Sequence, residues 1–291
     1  MIHNKQAVFI TGAGSGIGLA TTQKFLNEGF FVFGSVIDEQ EEEKVQKTFR
    51  HDFLPIIMNI TQESEILKTF ETVQKNMDGM TFRALINIAG VIYNGPLMDV
   101  TQRQFEHILA VNTVGVHMMA KTFLPLLQSK NKQRNKIINI SSQSGLRTLP
   151  FTGIYSASKF ALEALSNAMR HEYSVFGIDT CLIEPGQIQT PMAEKIIENV
   201  QKKPNHPIYI EPMRIFSERT IASFSTGISM QKIVDTIFTA FNSVQPKFRN
   251  EVHSDFIRDA IIFRKLPIKL QNALIKRTLK LYPALNYEKG N

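Results

Sequence analysis

Thr11-Gly12-Ala13-Gly14-Ser15-Gly16-Ile17-Gly18 follows directly on the apolar run Ala7–Ile10 and opens onto the helix-like segment Ile17–Glu28. That is the setting a phosphate-binding turn requires. Glycines let the backbone curl and approach a ligand, and a helix N-terminus offers unpaired N–H groups and the positive end of its dipole to a pyrophosphate. The spacing is T-G-x-x-x-G-x-G. It is neither the G-x-G-x-x-G pattern nor a P-loop, since no lysine follows the last glycine. A tight ligand-free connection between strand and helix is the competing reading of the turn taken alone.

Working outward, short apolar segments recur at Phe31–Gly34, Phe53–Ile57, Ala84–Ile88, Lys136–Ile140 and Asp179–Ile183. Runs this short and this continuously apolar suit strands buried on both faces of a parallel sheet. Helical stretches alternate with them at Glu39–Thr48, Gln62–Met77, Gln102–Gln128 and Tyr155–Val175, and Thr101 with Gln104 forms a capping box at the start of the third. Strand–helix alternation with short loops predicts right-handed βαβ units and an α/β, doubly wound parallel sheet with helices on both faces. No repeat or Gly/Ser linker divides the chain, so residues 1–291 read as a single domain. The rhythm breaks after Pro185-Gly186. Residues 187–228 read as an irregular substrate lid, with four prolines (Pro191, Pro204, Pro207, Pro212) among large apolar residues such as Met192, Tyr209, Met213 and Phe216. A helix at Gln231–Asn242 and a last strand at Lys247–Val252 follow. Residues 253–291 read as a basic amphipathic extension in which Ile268–Leu281, placed on a helix, gathers Lys269, Lys276 and Lys280 on one side and leucines on the next.

Composition removes several classes. Of 291 residues, 43% are hydrophobic and 20% charged, which excludes disorder and collagen-like repeats. The single cysteine, Cys181, permits neither an internal disulfide nor a cysteine-based zinc site, and the seven scattered histidines have no metal-binding spacing, so no metal is expected. Nearly all of the net charge of +7 lies in the tail from Gln245 onward. A basic face spread over the body, as nucleic-acid binding requires, is absent from the pattern, and no nucleic-acid partner is expected. No apolar run approaches the roughly 18 residues that cross a bilayer, and no signal-peptide core precedes the first strand. The expected location is cytoplasmic, with peripheral membrane contact through the basic helix as a second reading beside simple packing on the body.

Further motifs lie downstream: Asn87-Ile88-Ala89-Gly90 after the fourth strand, Asn112, Ser142, Tyr155-x-x-x-Lys159 and Pro185-Gly186. Together with the glycine turn they resemble, in order and spacing, the short-chain dehydrogenase/reductases with their Rossmann-type fold. The resemblance is dense from Lys5 to Thr190 and fades beyond. It implies an NAD(P)-dependent oxidoreductase that interconverts an alcohol and a ketone or aldehyde. Tyr155 and Lys159 are four apart on a helix and so share a face. A phenol with a pKa near 10 is a poor base unless a neighbouring ammonium and the charge of an oxidised nicotinamide favour the phenolate. Tyr155 then exchanges a proton with the substrate oxygen while Ser142 orients and polarises it. The resemblance adds a water held by Asn112 and a ribose contact from Lys159. Singly, a surface Tyr/Lys pair, a strand-end cap and a helix-interior amide account for the same residues.

By the same resemblance the cofactor lies against Gly12, Gly14, Ser15, Gly16, Ile17 and Gly18 at its phosphates. Asn59 and Ile60 lie near its adenine, Asn87, Ala89 and Gly90 near the adenine ribose, and Thr190 near the carboxamide. Asn59 stands where the family usually has Asp. The second strand ends in Val36-Ile37-Asp38-Glu39 with no basic residue. Val36 occupies the usual position of the NAD-selecting acid, so Asp38 is a displaced candidate, and repulsion from Asp38 and Glu39 favours NAD over NADP. The tail Leu266–Arg277 resembles the steroid- and retinol-type subgroup and, with the apolar lid, implies a bulky hydrophobic alcohol or ketone substrate. The family habit implies a homodimer or homotetramer. Two alternatives stay open: an NADPH-dependent reductase of small or acyl-linked ketones, and a non-enzymatic dinucleotide-sensing protein.

Overall fold

The computed structural model describes residues 5–128, 134–189, 203–253 and 266–282. Seven parallel strands form one sheet: β1 (Gln6–Ile10), β2 (Phe31–Val36), β3 (Phe53–Ile57), β4 (Thr81–Asn87), β5 (Asn135–Ile140), β6 (Ile178–Pro185) and β7 (Arg249–Val252). Their order is β3-β2-β1-β4-β5-β6-β7. The chain winds one way from β1 to β3, then returns to lay β4 beside β1 and winds the other way. That reversal opens a crevice beyond the carboxyl ends of β1 and β4, where ligands bind in sheets of this kind. The glycine turn and the segment from Asn87 to Gly90 leave the sheet at this crevice.

Helices cover both faces because alternate strand residues are apolar on both sides. Phe9, Phe33, Leu85 and Ile137 pack with Ile66 and Val73 of α3 (Glu63–Asn76), Met119 and Phe123 of α5 (Val116–Leu127) and Met169 of α6 (Gly153–Glu172). Val8, Ile10, Ile86, Ile138 and Ile183 face the other way. They pack on Phe25 of α1 (Gly16–Asn27) and on Ile233, Ile237 and Phe241 of α8 (Met230–Asn242). α2 (Glu39–Thr48) rests on the β2–β3 edge through Val45.

Three elements differ from the sequence expectation. The helix expected over Gln102–Gln128 is interrupted: α4 (Gln102–Leu109) passes into a π-helical turn, Ala110–Gly115, before α5 begins. The lid expected to be irregular contains a sixteen-residue helix, α7 (Ile210–Ser225). Pro212 is its third residue, within the first turn, where the N–H that proline lacks has no helical partner anyway. The tail helix α9 (Ile268–Leu279) turns Ile275 and Leu279 onto α7, where Tyr209, Met213, Ile215, Phe216 and Phe151 complete an apolar cluster. Leu270 and Leu274, expected on an apolar face, stay about half exposed, and Lys280 is drawn away from the lysine stripe to Glu211 of α7 at 3.0 Å.

Phe151 joins this cluster to the site. It holds φ at 69°, a left-handed conformation that costs a non-glycine residue free energy. Its ring meets Phe216 and Tyr209 edge-on at 5.5 and 6.0 Å. Two residues later α6 begins.

Candidate active site

Gly12 sits at φ 69°, and a Cβ there would lie 3.1 Å from the Ala89 backbone, so the turn and the loop after β4 are in close apposition. Thr11 Oγ1 fixes that approach by accepting from the N–H groups of Ile88 and Ala89 at 2.9 and 3.0 Å. On the other side, Gly12 N–H donates to Ser35 Oγ and Ala13 N–H to the Ser35 carbonyl. Gly18 is where α1 touches the turn: a Cβ would lie 1.9 Å from the Gly12 carbonyl oxygen. Ser15 caps α1 in an extended conformation without bonding any N–H through its side chain, and no acidic residue lies in the first turn. The first-turn N–H groups, the positive end of the helix and the glycine backbone thus make a cradle whose chemistry fits a dinucleotide pyrophosphate.

At the expected adenosine end the structure adds groups that the strand-end motif does not show. Val36 is buried, and the Asp38 side chain is engaged as the N-cap of α2, accepting from Glu41 N–H at 2.8 Å. Glu41 was missed by sequence reasoning. Its carboxylate accepts from Ile37 N–H at 3.2 Å and lies so close over Gly14 that a Cβ there would be 2.3 Å from it. A basic group is present after all, because Lys44 reaches the Gly14 carbonyl at 3.4 Å. Glu41 comes from the first turn of α2 and Lys44 from the next, both beyond the strand-end motif. Asn59 Oδ1 is committed to its own turn, accepting from the N–H and hydroxyl of Thr61, while Ile60 packs against Gly115. Asn87 is buried, donating to Asn139 Oδ1 at 2.8 Å across to β5. Thr190 lies outside the described residues.

The reacting groups converge beyond β4 and β5. Ser142 follows β5, and its Oγ accepts from Ser144 N–H at 3.1 Å. Tyr155, in the first turn of α6, has the Ser142 hydroxyl as the side-chain neighbour of its phenol. One turn on, buried Lys159 places Nζ 5.9 Å from the centre of the Tyr155 ring and donates to the Ile140 carbonyl at 2.9 Å. A Cβ on Gly90 would lie 3.8 Å from that nitrogen and 3.2 Å from Asn112 Oδ1. Asn112 uses its amide to hold the loop: Oδ1 accepts from Val91 N–H, and Nδ2 donates to the Val91 carbonyl and Ser158 Oγ. The π turn supplies the extra residue that brings Asn112 to this position, a common use of such turns.

The electrostatics are those of a dry site. Burial pushes the Tyr155 phenol above its ordinary value, and the Ser142 hydroxyl pulls it back in part. The Lys159 ammonium sits beside the ring and bonds the Ile140 carbonyl. Burial draws Lys159 down to about 8, opposed by the charge of Glu163. The arrangement offers a phenolic proton, a hydroxyl donor and an ammonium at the mouth of a dinucleotide cradle.

The family model described as short chain dehydrogenase matches residues 6–201. The chain belongs to the short-chain dehydrogenase family. Like other short-chain dehydrogenases it is an oxidoreductase. It is 28% identical over 277 residues to the NADPH-dependent 3-dehydrocapnine reductase of Ornithobacterium rhinotracheale, covering 93% of this chain and 96% of that one. It is 26% identical over 280 residues to mouse retinol dehydrogenase 16, covering 92% and 87%. Among solved structures, a short-chain dehydrogenase/reductase from Burkholderia phymatum in complex with NAD superposes with a TM-score of 0.75 at 20% identity, over 93% of this chain and 96% of that one.

Proposed function

We propose that this short-chain dehydrogenase prefers NAD and interconverts an alcohol and a carbonyl on a bulky hydrophobic substrate, with Tyr155 as acid and base. The observation that carries this is the convergence of Ser142, Tyr155 and buried Lys159 beside the glycine cradle, with the ammonium 5.9 Å from the centre of the Tyr155 ring. The bound dinucleotide supplies the hydride acceptor or donor. Ser142 donates to the substrate oxygen and holds it against the phenol. Tyr155, kept protonated by burial, gives its proton to a carbonyl oxygen in the reducing direction and recovers it from a hydroxyl in the other. Lys159 carries the positive charge that offsets the phenolate. Asn112 keeps the loop of Gly90 and Val91 seated beside that ammonium. The apolar wall formed by Phe151, Tyr209, Met213 and Phe216, reaching α6 through Phe151, supports the hydrophobic substrate.

NAD preference rests on the Glu41 carboxylate over Gly14, which repels a 2′-phosphate. NADPH-dependent carbonyl reduction is the second reading, favoured by Lys44 at the same turn and by the NADPH-dependent relative. Turnover of long-chain and cyclic alcohols with each dinucleotide separates them. The expected result is kcat/KM with NAD about tenfold or more above that with NADP, and a ratio that narrows in Glu41→Gln. Preference for NADP, lost in Lys44→Ala, establishes the second reading instead.

The reading includes a cytoplasmic enzyme that assembles into homodimers or homotetramers. Half-exposed Phe105, Val114 and Phe160, on α4, the π turn and α6, support assembly. On α9, exposed Ile268, Leu270 and Leu274 beside Lys269 support peripheral membrane contact. Flotation with anionic vesicles is expected to carry the full chain and to leave Leu270→Glu/Leu274→Glu in solution; equal flotation of the two removes the contact.

A further inference from the structure

Three charged side chains that this chemistry does not use meet near Lys159, two of them buried and the third reaching in from the surface. Glu184, near the end of β6, is fully buried, and Glu163 is 5% exposed one turn beyond Lys159 on the same face of α6. Arg249 Nη1, from the edge strand β7, stands 2.6 Å from Glu163 Oε2 and 2.6 Å from Glu184 Oε1. Both carboxyl groups thus meet at one guanidinium nitrogen. The other ionisable groups around them are Lys159 of α6, Glu251 of β7, His253 and Lys232 of α8. His253 Nε2 meets Glu251 at 2.9 Å, its Nδ1 meets Gln143, the neighbour of Ser142, and Lys232 donates to the His253 carbonyl.

Two ionised carboxylates, both buried, on one guanidinium whose side chain is 42% exposed leave a negative charge in the interior that the cation compensates only in part. They also leave Glu163 Oε1 and Glu184 Oε2 buried with no donor among the described residues. One proton held between the carboxyls supplies the donor and removes one of the two like charges. We propose that Glu163 and Glu184 share a single proton under Arg249, and that the one negative charge remaining on the pair keeps Lys159 an ammonium. Both are positioning residues, acting through Lys159, and the proposal rests on the role given to Lys159 above. The direction of each titration agrees. Burial first, then the charge of Glu163 working against Arg249, pushes Glu184 up to about 8, and Glu163 is the group that holds Lys159 up against its burial.

The sign of the pH effect follows. Between the ordinary 4.5 and about 8 the folded protein keeps a proton that the unfolded chain has lost, so stability falls as pH rises through that window and levels off above it. Glu184→Gln, which has no proton to lose, is expected to match the wild type at pH 5 and to melt above it at pH 8. In the infrared spectrum of the purified protein at pH 7, a carbonyl band of a protonated carboxyl group is expected in the wild type and absent from Glu184→Gln. Glu163→Gln is expected to move the alkaline limb of kcat/KM down by about one pH unit, because the remaining negative charge passes to Glu184 and the carboxyl that acts on Lys159 is gone. If Glu163→Gln fails to fold, the infrared band and the two melting profiles decide. No protonated carboxyl band at pH 7, with parallel melting profiles, overturns the shared proton. The band present in a protein that turns over no alcohol or carbonyl with either dinucleotide overturns the role of Lys159 and leaves the pair standing.

Discussion

Tyr155→Phe is expected to lower kcat by about 10²- to 10⁴-fold, the range that a positioned general acid or base contributes. The change removes one oxygen and keeps the ring, so the packing of the first turn of α6 is retained. What goes is the proton that meets the substrate oxygen and the polar neighbour of the Ser142 hydroxyl. Dinucleotide affinity is expected to stay within about threefold, since the cradle is built from the glycine turn, α1 and the loop after β4, none of which the phenol touches. Single-turnover hydride transfer and dinucleotide titration, followed by nicotinamide fluorescence, separate the two effects. A mutant within threefold of the wild-type rate assigns the proton to another group.

Gly18→Ala is expected to abolish dinucleotide binding. The added methyl would need to occupy space 1.9 Å from the Gly12 carbonyl oxygen and 2.7 Å from its carbon, both backbone atoms that cannot rotate away. Either the first turn of α1 withdraws or the glycine turn unwinds, and in both cases the N–H groups no longer converge on the phosphates. Overpacking of this kind costs about 1–3 kcal/mol or more in stability. The readout is the rise in melting temperature with added dinucleotide, which a protein that does not bind it loses entirely. Far-ultraviolet circular dichroism establishes that the mutant is folded. A normal ligand-induced rise in the mutant shows that the pyrophosphate lies elsewhere.

The parallel sheet was legible because buried strands write themselves as short apolar runs, and the glycine turn because few other functions need so many glycines between strand and helix. The face of α6 that Tyr155 and Lys159 share was legible for a similar reason: the two are related by helical periodicity alone. What was not legible depends on contacts between distant segments. Asp38 was readable as a cofactor-facing acid, but that one of its oxygens caps α2 and that Glu41 lies over Gly14 were not. The spacing from Lys159 to Glu163 was readable, but nothing local says that Arg249, on a strand at the far edge of the sheet, closes over Glu163 and Glu184. α7 was hidden by Pro212, because a proline in a first turn and a proline that breaks a helix are the same letter in a sequence.

Phe151 gives the apolar wall a mechanical meaning. Its left-handed backbone and its ring, wedged against Tyr209, Met213 and Phe216, tie α7 to the peptide that launches α6. A guest large enough to lever α7 outward therefore tugs on the anchorage of the phenol as it enters. On the proposed reading of α7 as a substrate cover and Tyr155 as the acid and base, admission and alignment are expected to be coupled, and a molecule that holds the cover ajar is expected to inhibit without reaching the oxygen of Tyr155.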